Sequence, residues 1–216
     1  MKNKSPSLLS SFITMSAEKA YRHLLSISKR EKHFSFHKFL QSSDIISIES
    51  RIDDSISFEY FLIKTIISQQ VSTKAARSIW TKVKLALDSN NQPISLDLLK
   101  DLGLSKPKAT YILGVIENKR IALSTKEDLQ QMSYEDLSDF LLSQKGIGPW
   151  TLSVVRMFFI ADTDVFLQGD LGINKALEYF FKTKDYTGED YSPYKTYLCL
   201  YLWRSISQAA NADAQQ

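Results

Sequence analysis

The chain has 216 residues, with 27 lysines and arginines against 24 aspartates and glutamates, a formal net charge of +3. That length rules out a peptide hormone or disulfide miniature and suits one domain or two small lobes. The single cysteine, Cys199, rules out an intrachain disulfide and any four-thiolate cluster. A 44% hydrophobic content and the lack of any stretch near the roughly 20 apolar residues of a bilayer span exclude disorder as the main state and a membrane helix.

Helical periodicity runs through nearly the whole chain and the sole strand-like patch is residues 45–48, so the fold class is all-α. Residues 17–28 and the aromatic-rich 33–40 read as the first helices. His23, His33 and His37 fall there as helix-surface residues, without the thiolates or repeated spacing of a zinc site. In residues 58–69, Phe58, Phe61, Leu62 and Thr65 repeat at helical spacing, and Gln69 and Gln70 mark the polar end. An amphipathic helix follows over 73–87. A short one over 96–102 stops at Gly103, and Pro107 sits in the turn that opens 108–118. Lys74, Lys82, Lys106 and Lys108 read as solvated faces, some of them tracking phosphate. Ser133, with Asp136 three places on, caps residues 134–142. The apolar helix 149–160 follows, then 171–181 with Asp170 as its cap, and 194–206 before a polar tail.

Four of the seven glycines, Gly146, Gly148, Gly169 and Gly172, fall in one short region. Over residues 141–151 a helix ends, a turn places two glycines around Ile147, and a new helix opens at Pro149. That helix-hairpin-helix pattern lets backbone approach a phosphate, with amides at the new helix N-terminus aimed outward. Lys145, Gly146, Ile147, Gly148 and Thr151 are the candidate contacts to a nucleic-acid backbone. On the same residues, the turn can equally be a joint between packed helices with Ile147 in the core.

Five segments in matching order, SQQVSTKAA (68–76), GLSKPKA (103–109), GIGPWT (146–151), DVFLQGDLGI (164–173) and SPYKTYLCLYLWR (192–204), resemble the DNA-3-methyladenine glycosylase II family. These are helix-hairpin-helix base-excision DNA glycosylases, and the resemblance spans about residues 52–204. It implies an enzyme hydrolysing the N-glycosidic bond of alkylated purines by base flipping, leaving an abasic site; the other reading is a non-catalytic damage binder on the same scaffold. Asp170 takes the place of the catalytic aspartate, and Asp164 is then structural. Trp150 and Trp203 match base-pocket positions, while Val154 stands where some relatives carry a pocket tyrosine. The wedge that fills the vacated stack maps to Gln70, with Val71 and Ser72 beside it.

Where bifunctional relatives place a nucleophilic lysine this chain has Trp150, and Lys145 lies outside that position, so no lyase activity is expected. No cofactor is required. Family hairpins bind Na+ or K+ through backbone carbonyls, which fall on Leu142, Gln144 and Ile147. The resemblance further implies a single glycosylase domain over 1–216 with a cleft between two lobes, one of about 53–161 and one of 1–52 with 162–216. A monomer acting on duplex DNA with alkylated bases is expected, away from any membrane. Its place is intracellular: the cytoplasm or nucleoid of a bacterium, or the nucleus of a eukaryote.

Overall fold

A computed structural model describes residues 8–48, 51–89 and 93–213. Among the described residues there are twelve α-helices and no strand. The first two are α1 (Leu8–Arg30) and α2 (Phe34–Gln41). Next comes α3 (Phe58–Ser68), opened by Ser57, whose hydroxyl accepts the Tyr60 amide. After α4 (Thr73–Ser89), Ser95 caps α5 (Leu96–Asp101), which ends at Gly103 with φ +104°. Pro107 lies in the first turn of α6 (Lys106–Glu117), where its missing amide costs nothing.

Two short helices escape the periodicity reading, α7 (Lys119–Leu123) and α8 (Lys126–Gln131). Five or six residues are too few to show a period, and local caps set these turns. The Asn118 Oδ1 accepts the Arg120 and Ile121 amides, and Thr125 with Asp128 forms a reciprocal capping box. Ser133 opens α9 (Tyr134–Leu142), as expected. The helix α10 (Pro149–Val155) runs directly into a π-helical turn, Arg156–Ile160. The last two are α11 (Leu171–Phe181) and, after the 3₁₀ turn Glu189–Tyr191, α12 (Lys195–Asp213).

The chain divides into two compact units, Asp53–Val155 and Met1–Ile52 with Arg156–Gln216. The second boundary falls at Val155 rather than at about Ala161. The π turn belongs with the C-terminal helices: Arg156 pairs with Asp162 at 2.6 Å, and the Phe158 ring stacks on Trp203. In the 53–155 unit, α3 is the central helix and lies against α4, α6, α7 and α10. Its Phe58, Leu62, Ile63, Ile66 and Ile67 are fully buried, each contributing about 1.5–3 kcal/mol.

The other unit is built on α1, α2, α11 and α12 around Phe36, Leu40, Tyr191 and Tyr201. Its histidines correct the sequence reading, since all three are fitted into packing. The His37 Nδ1 meets the Ser28 hydroxyl at 2.9 Å, and the edge of His23 meets Tyr194. The half-buried His33 precedes α2, lies against the rings of Phe181, Tyr186 and Tyr191, and shares a 2.9 Å hydrogen bond with the Tyr191 hydroxyl. Burial holds its pKa below 6.5, against the opposing pull of Asp190 and Glu31. An imidazole with a depressed pKa binds fewer protons folded than unfolded just below 6.5, so its stabilisation is complete above that value. The stabilisation is lost as pH falls through the lower folded pKa. The melting temperature is therefore expected to drop between about pH 7 and 5, and His33→Gln to flatten that limb. A limb identical in the variant would remove His33 from the account. No described helix is long and apolar enough to cross a membrane.

Candidate active site

Between α9 and α10 the backbone makes two linked turns. The Gln144 amide donates to the Leu141 carbonyl at 3.1 Å, and the Ile147 amide to the Gln144 carbonyl at 3.2 Å. Gly146 has φ +85°, and its α-carbon also lies against Tyr111: an added Cβ would meet that ring at 2.3 Å. Ile147 is 5% exposed, so its side chain joins the core while the turn itself carries the exposed Lys145. The packing joint and the exposed backbone turn are thus the same structure.

Thr151, the last of the candidate backbone contacts, has its side chain turned into the unit. It is 1% exposed and its hydroxyl accepts the Gln69 side-chain amide at 3.0 Å, which leaves only its backbone for a ligand. The same Gln69 nitrogen donates to the Gly146 carbonyl at 3.1 Å, tying α3 to the hairpin. Gln144 anchors the other flank, where its Oε1 accepts the Asn118 amide at 2.8 Å.

Gly148 differs from Gly146. A Cβ there would meet nothing within 4 Å, and its φ is ordinary. Gly148→Ala is therefore expected to leave the melting temperature within a degree or two while weakening binding to duplex DNA about fivefold, by holding backbone off a phosphate. Calorimetry and fluorescence anisotropy measure the two effects, and unchanged DNA affinity would separate this glycine from the interface.

At the end of α3, Gln69 turns inward and Gln70 outward. Gln70 is exposed with φ +55°, a left-handed conformation costing a side-chain-bearing residue about 1–2 kcal/mol. Val71 is 40% exposed, whereas the Ser72 hydroxyl is engaged by the Ala75 amide at the start of α4. Lys108 also departs from the sequence reading of a solvated lysine. Its ammonium donates to the carbonyls of Ile67, at 2.8 Å, and of Gln69, and burial lowers its pKa.

In the other unit Gly169, at φ +80°, turns the chain into Asp170, the N-cap of α11. One carboxylate oxygen, Oδ1, accepts the Gly172 amide at 2.9 Å, the Ile173 amide at 3.0 Å and the Trp203 indole N–H at 2.8 Å. The indole stacks on Phe158 with ring centres 6.0 Å apart and planes at 18°. Gly172 keeps this arrangement uncrowded, since a Cβ there would stand 3.0 Å from Trp203 Cδ1 and 3.2 Å from Asp170 Oδ1 and would press on the indole or the carboxylate. Asp170 is thus both the helix cap and a carboxylate fixed by a tryptophan. Sequence reasoning missed Phe158 and the Trp203 bond, which carry no local signal.

Asp164 is occupied structurally, accepting the Ser192 hydroxyl at 2.6 Å. Trp150 is half-buried in the first turn of α10, and Val154 is buried one turn on. Cys199 is buried and its thiol is pushed up to about 12 by desolvation, so it is no nucleophile near neutral pH. The described residues hold no cluster of histidine, cysteine or carboxylate side chains able to bind a metal. A monovalent cation at the hairpin asks only for neutral oxygens. The carbonyls of Leu142, Gln144 and Ile147 fit that chemistry, since a carbonyl such as Gln144's, already accepting the Ile147 amide, keeps a second lone pair.

An all-α chain with a two-glycine turn between helices and a tryptophan-held aspartate at a helix N-cap defines the helix-hairpin-helix class. No family model matches the chain. It is 33% identical over 116 residues to YfjP of Bacillus subtilis, named as a putative DNA-3-methyladenine glycosylase, covering 50% of this chain and 40% of that protein. It is 28% identical over 164 residues to DNA-3-methyladenine glycosylase 1 of Schizosaccharomyces pombe, covering 68% and 72%. The solved structure of the S. pombe 3-methyladenine DNA glycosylase Mag1 in complex with abasic DNA superposes with a TM-score of 0.68 at 26% identity, over 87% of this chain and 96% of that one. The chain is thus similar in sequence and in fold to DNA-3-methyladenine glycosylases. It spans two fifths of the length of the B. subtilis relative.

Proposed function

We propose that the protein is a monofunctional DNA glycosylase that hydrolyses the N-glycosidic bond of alkylated purines, of the 3-methyladenine and 7-methylguanine type, in duplex DNA. The observation that carries this reading is Asp170, a carboxylate held by two backbone amides and an indole at a helix N-terminus. Relatives named for this activity support it, one of them solved with abasic DNA.

Backbone amides at the hairpin and the start of α10 grip phosphate without reading sequence. The damaged nucleotide is rotated out of the stack, at a cost of a few kcal/mol, and Gln70 with Val71 fills the gap. A purine methylated at N3 or N7 is cationic and prefers an aromatic face, the role assigned to Trp150 and Trp203. As the bond from the sugar anomeric carbon to the purine nitrogen breaks, its electron pair leaves with the base. The cationic base departs neutral, so no acid is needed to protonate it. Positive charge builds on the sugar, where the Asp170 carboxylate stabilises it and takes a proton from the attacking water. The products are a free base and an abasic site. A cation held by the Leu142, Gln144 and Ile147 carbonyls would add positive charge for a phosphate.

With Trp150 where a Schiff-base lysine would stand, no strand cleavage is expected. The test is chromatography of bases released from duplexes carrying 3-methyladenine, 7-methylguanine, 1-methyladenine, ethenoadenine or hypoxanthine. Release of a methylated purine with the strand left intact is the expected result. Tight binding to methylated duplex with no free base would instead favour a non-catalytic damage binder, and strand breaks would contradict the monofunctional assignment.

A further inference from the structure

We propose that Lys108 is a positioning residue for base extrusion: its ammonium, seated on the carbonyls of Ile67 and Gln69, holds rigid the turn that projects Gln70. The inference rests on the glycosylase reading and on Gln70 as the side chain that enters the vacated stack.

The last carbonyls of α3 have no amide of their own helix to receive, and the negative end of the helix dipole gathers there. Chains commonly close such an end with a glycine in the left-handed region. Here the residue with positive φ is a glutamine, Gln70, and it is exposed. The donor for those carbonyls comes from far along the chain. Lys108, in the first turn of α6, reaches back 41 residues to Ile67 and 39 to Gln69.

Gln69 is secured a second time, through its side-chain nitrogen, to Gly146 and Thr151 of the hairpin. Residue 69 is thus held at its main-chain carbonyl and its side chain, while residue 70 is held in an unfavourable backbone conformation with its side chain outward. A turn ordered before DNA arrives does not have to be ordered at the moment of insertion. Lys108 is assigned to that step, and the aspartate assigned to bond cleavage belongs to the other unit of the chain.

Single-turnover base release is measured for the wild-type protein, Lys108→Met, Lys108→Arg, Gln70→Ala and the double variant Lys108→Met/Gln70→Ala, on one lesion in duplex and in single-stranded DNA. A single strand has no pair to open and no partner stack to fill. Lys108→Met is expected to slow release from duplex about tenfold and from single strand less than about twofold. Lys108→Arg should recover most of the duplex rate, and the double variant should be no slower than the slower single one, because both changes disable one device. Equal slowing on both substrates, or an unchanged duplex rate, overturns the inference. So does a fall of about one in the slope of log affinity against log salt, which would make Lys108 a phosphate contact. Absence of base release by the wild-type protein from either substrate removes the glycosylase reading and this inference with it, a result distinct from those above.

Discussion

Asp170→Asn is expected to abolish release of methylated purine, lowering the single-turnover rate by about 10³-fold, while DNA affinity stays within about threefold. The substitution isolates charge from architecture. Asparagine caps a helix about as well as aspartate, and its amide oxygen can still accept from Gly172, Ile173 and the Trp203 indole, the three donors that converge on Oδ1. The fold should therefore lose less than about 1 kcal/mol. Only the negative charge opposite the developing sugar cation disappears. Asp170→Ala makes the control: it also removes the cap and strands the indole N–H, so it should lower the melting temperature where Asp170→Asn does not. Base release, anisotropy and calorimetry on both variants separate the effects. An Asn variant with a tenth or more of wild-type activity would remove Asp170 from the chemistry.

Gly146→Ala should be the most damaging change outside the carboxylate. Two independent penalties meet at that position. A Cβ at φ +85° costs about 1–2 kcal/mol, and its collision with the Tyr111 ring at 2.3 Å adds overpacking of about 1–3 kcal/mol. Together they come to about 3 kcal/mol, or a fall of about 10 °C in melting temperature for a chain of this size. DNA binding should fall with it, since the Gly146 carbonyl receives the Gln69 amide and the turn cannot shift without breaking that bond. Adding Tyr111→Ala should recover only part of the loss, because the Tyr111 Cβ itself lies 2.8 Å from the new methyl position and the backbone strain is untouched. A Gly146→Ala protein that melts with the wild type would mean that the turn has room the geometry denies. The contrast with Gly148→Ala, where there is open space, makes the pair of glycines a test of why each is there.

How much of this was legible in the residues alone depends on the range of each interaction. The helices at 58–68, 134–142, 149–155 and 171–181 were readable because apolar spacing and caps lie within a few positions of one another. The same holds for the hairpin glycines and for Asp170 as a cap, where donor and acceptor are neighbours in the chain. The capping box of Thr125 and Asp128 is equally local, but the helix it opens is too short to show a period.

What only tertiary structure decided are the bonds that cross the chain. Trp203 reaches Asp170 over 33 residues, Gln69 reaches Thr151 over 82, and His33 reaches Tyr191 over 158. Tryptophan, glutamine and histidine in such positions look in the sequence like core, helix end and surface. The partner a polar side chain finds is set by which helices close-packing brings alongside it, and no local pattern carries that information. The residues by themselves thus determined an all-helical chain with a two-glycine turn between helices and an acidic cap. Packing decided that the cap is held by an indole, that one glutamine faces inward so the next can face out, and that a lysine fastens the turn between them.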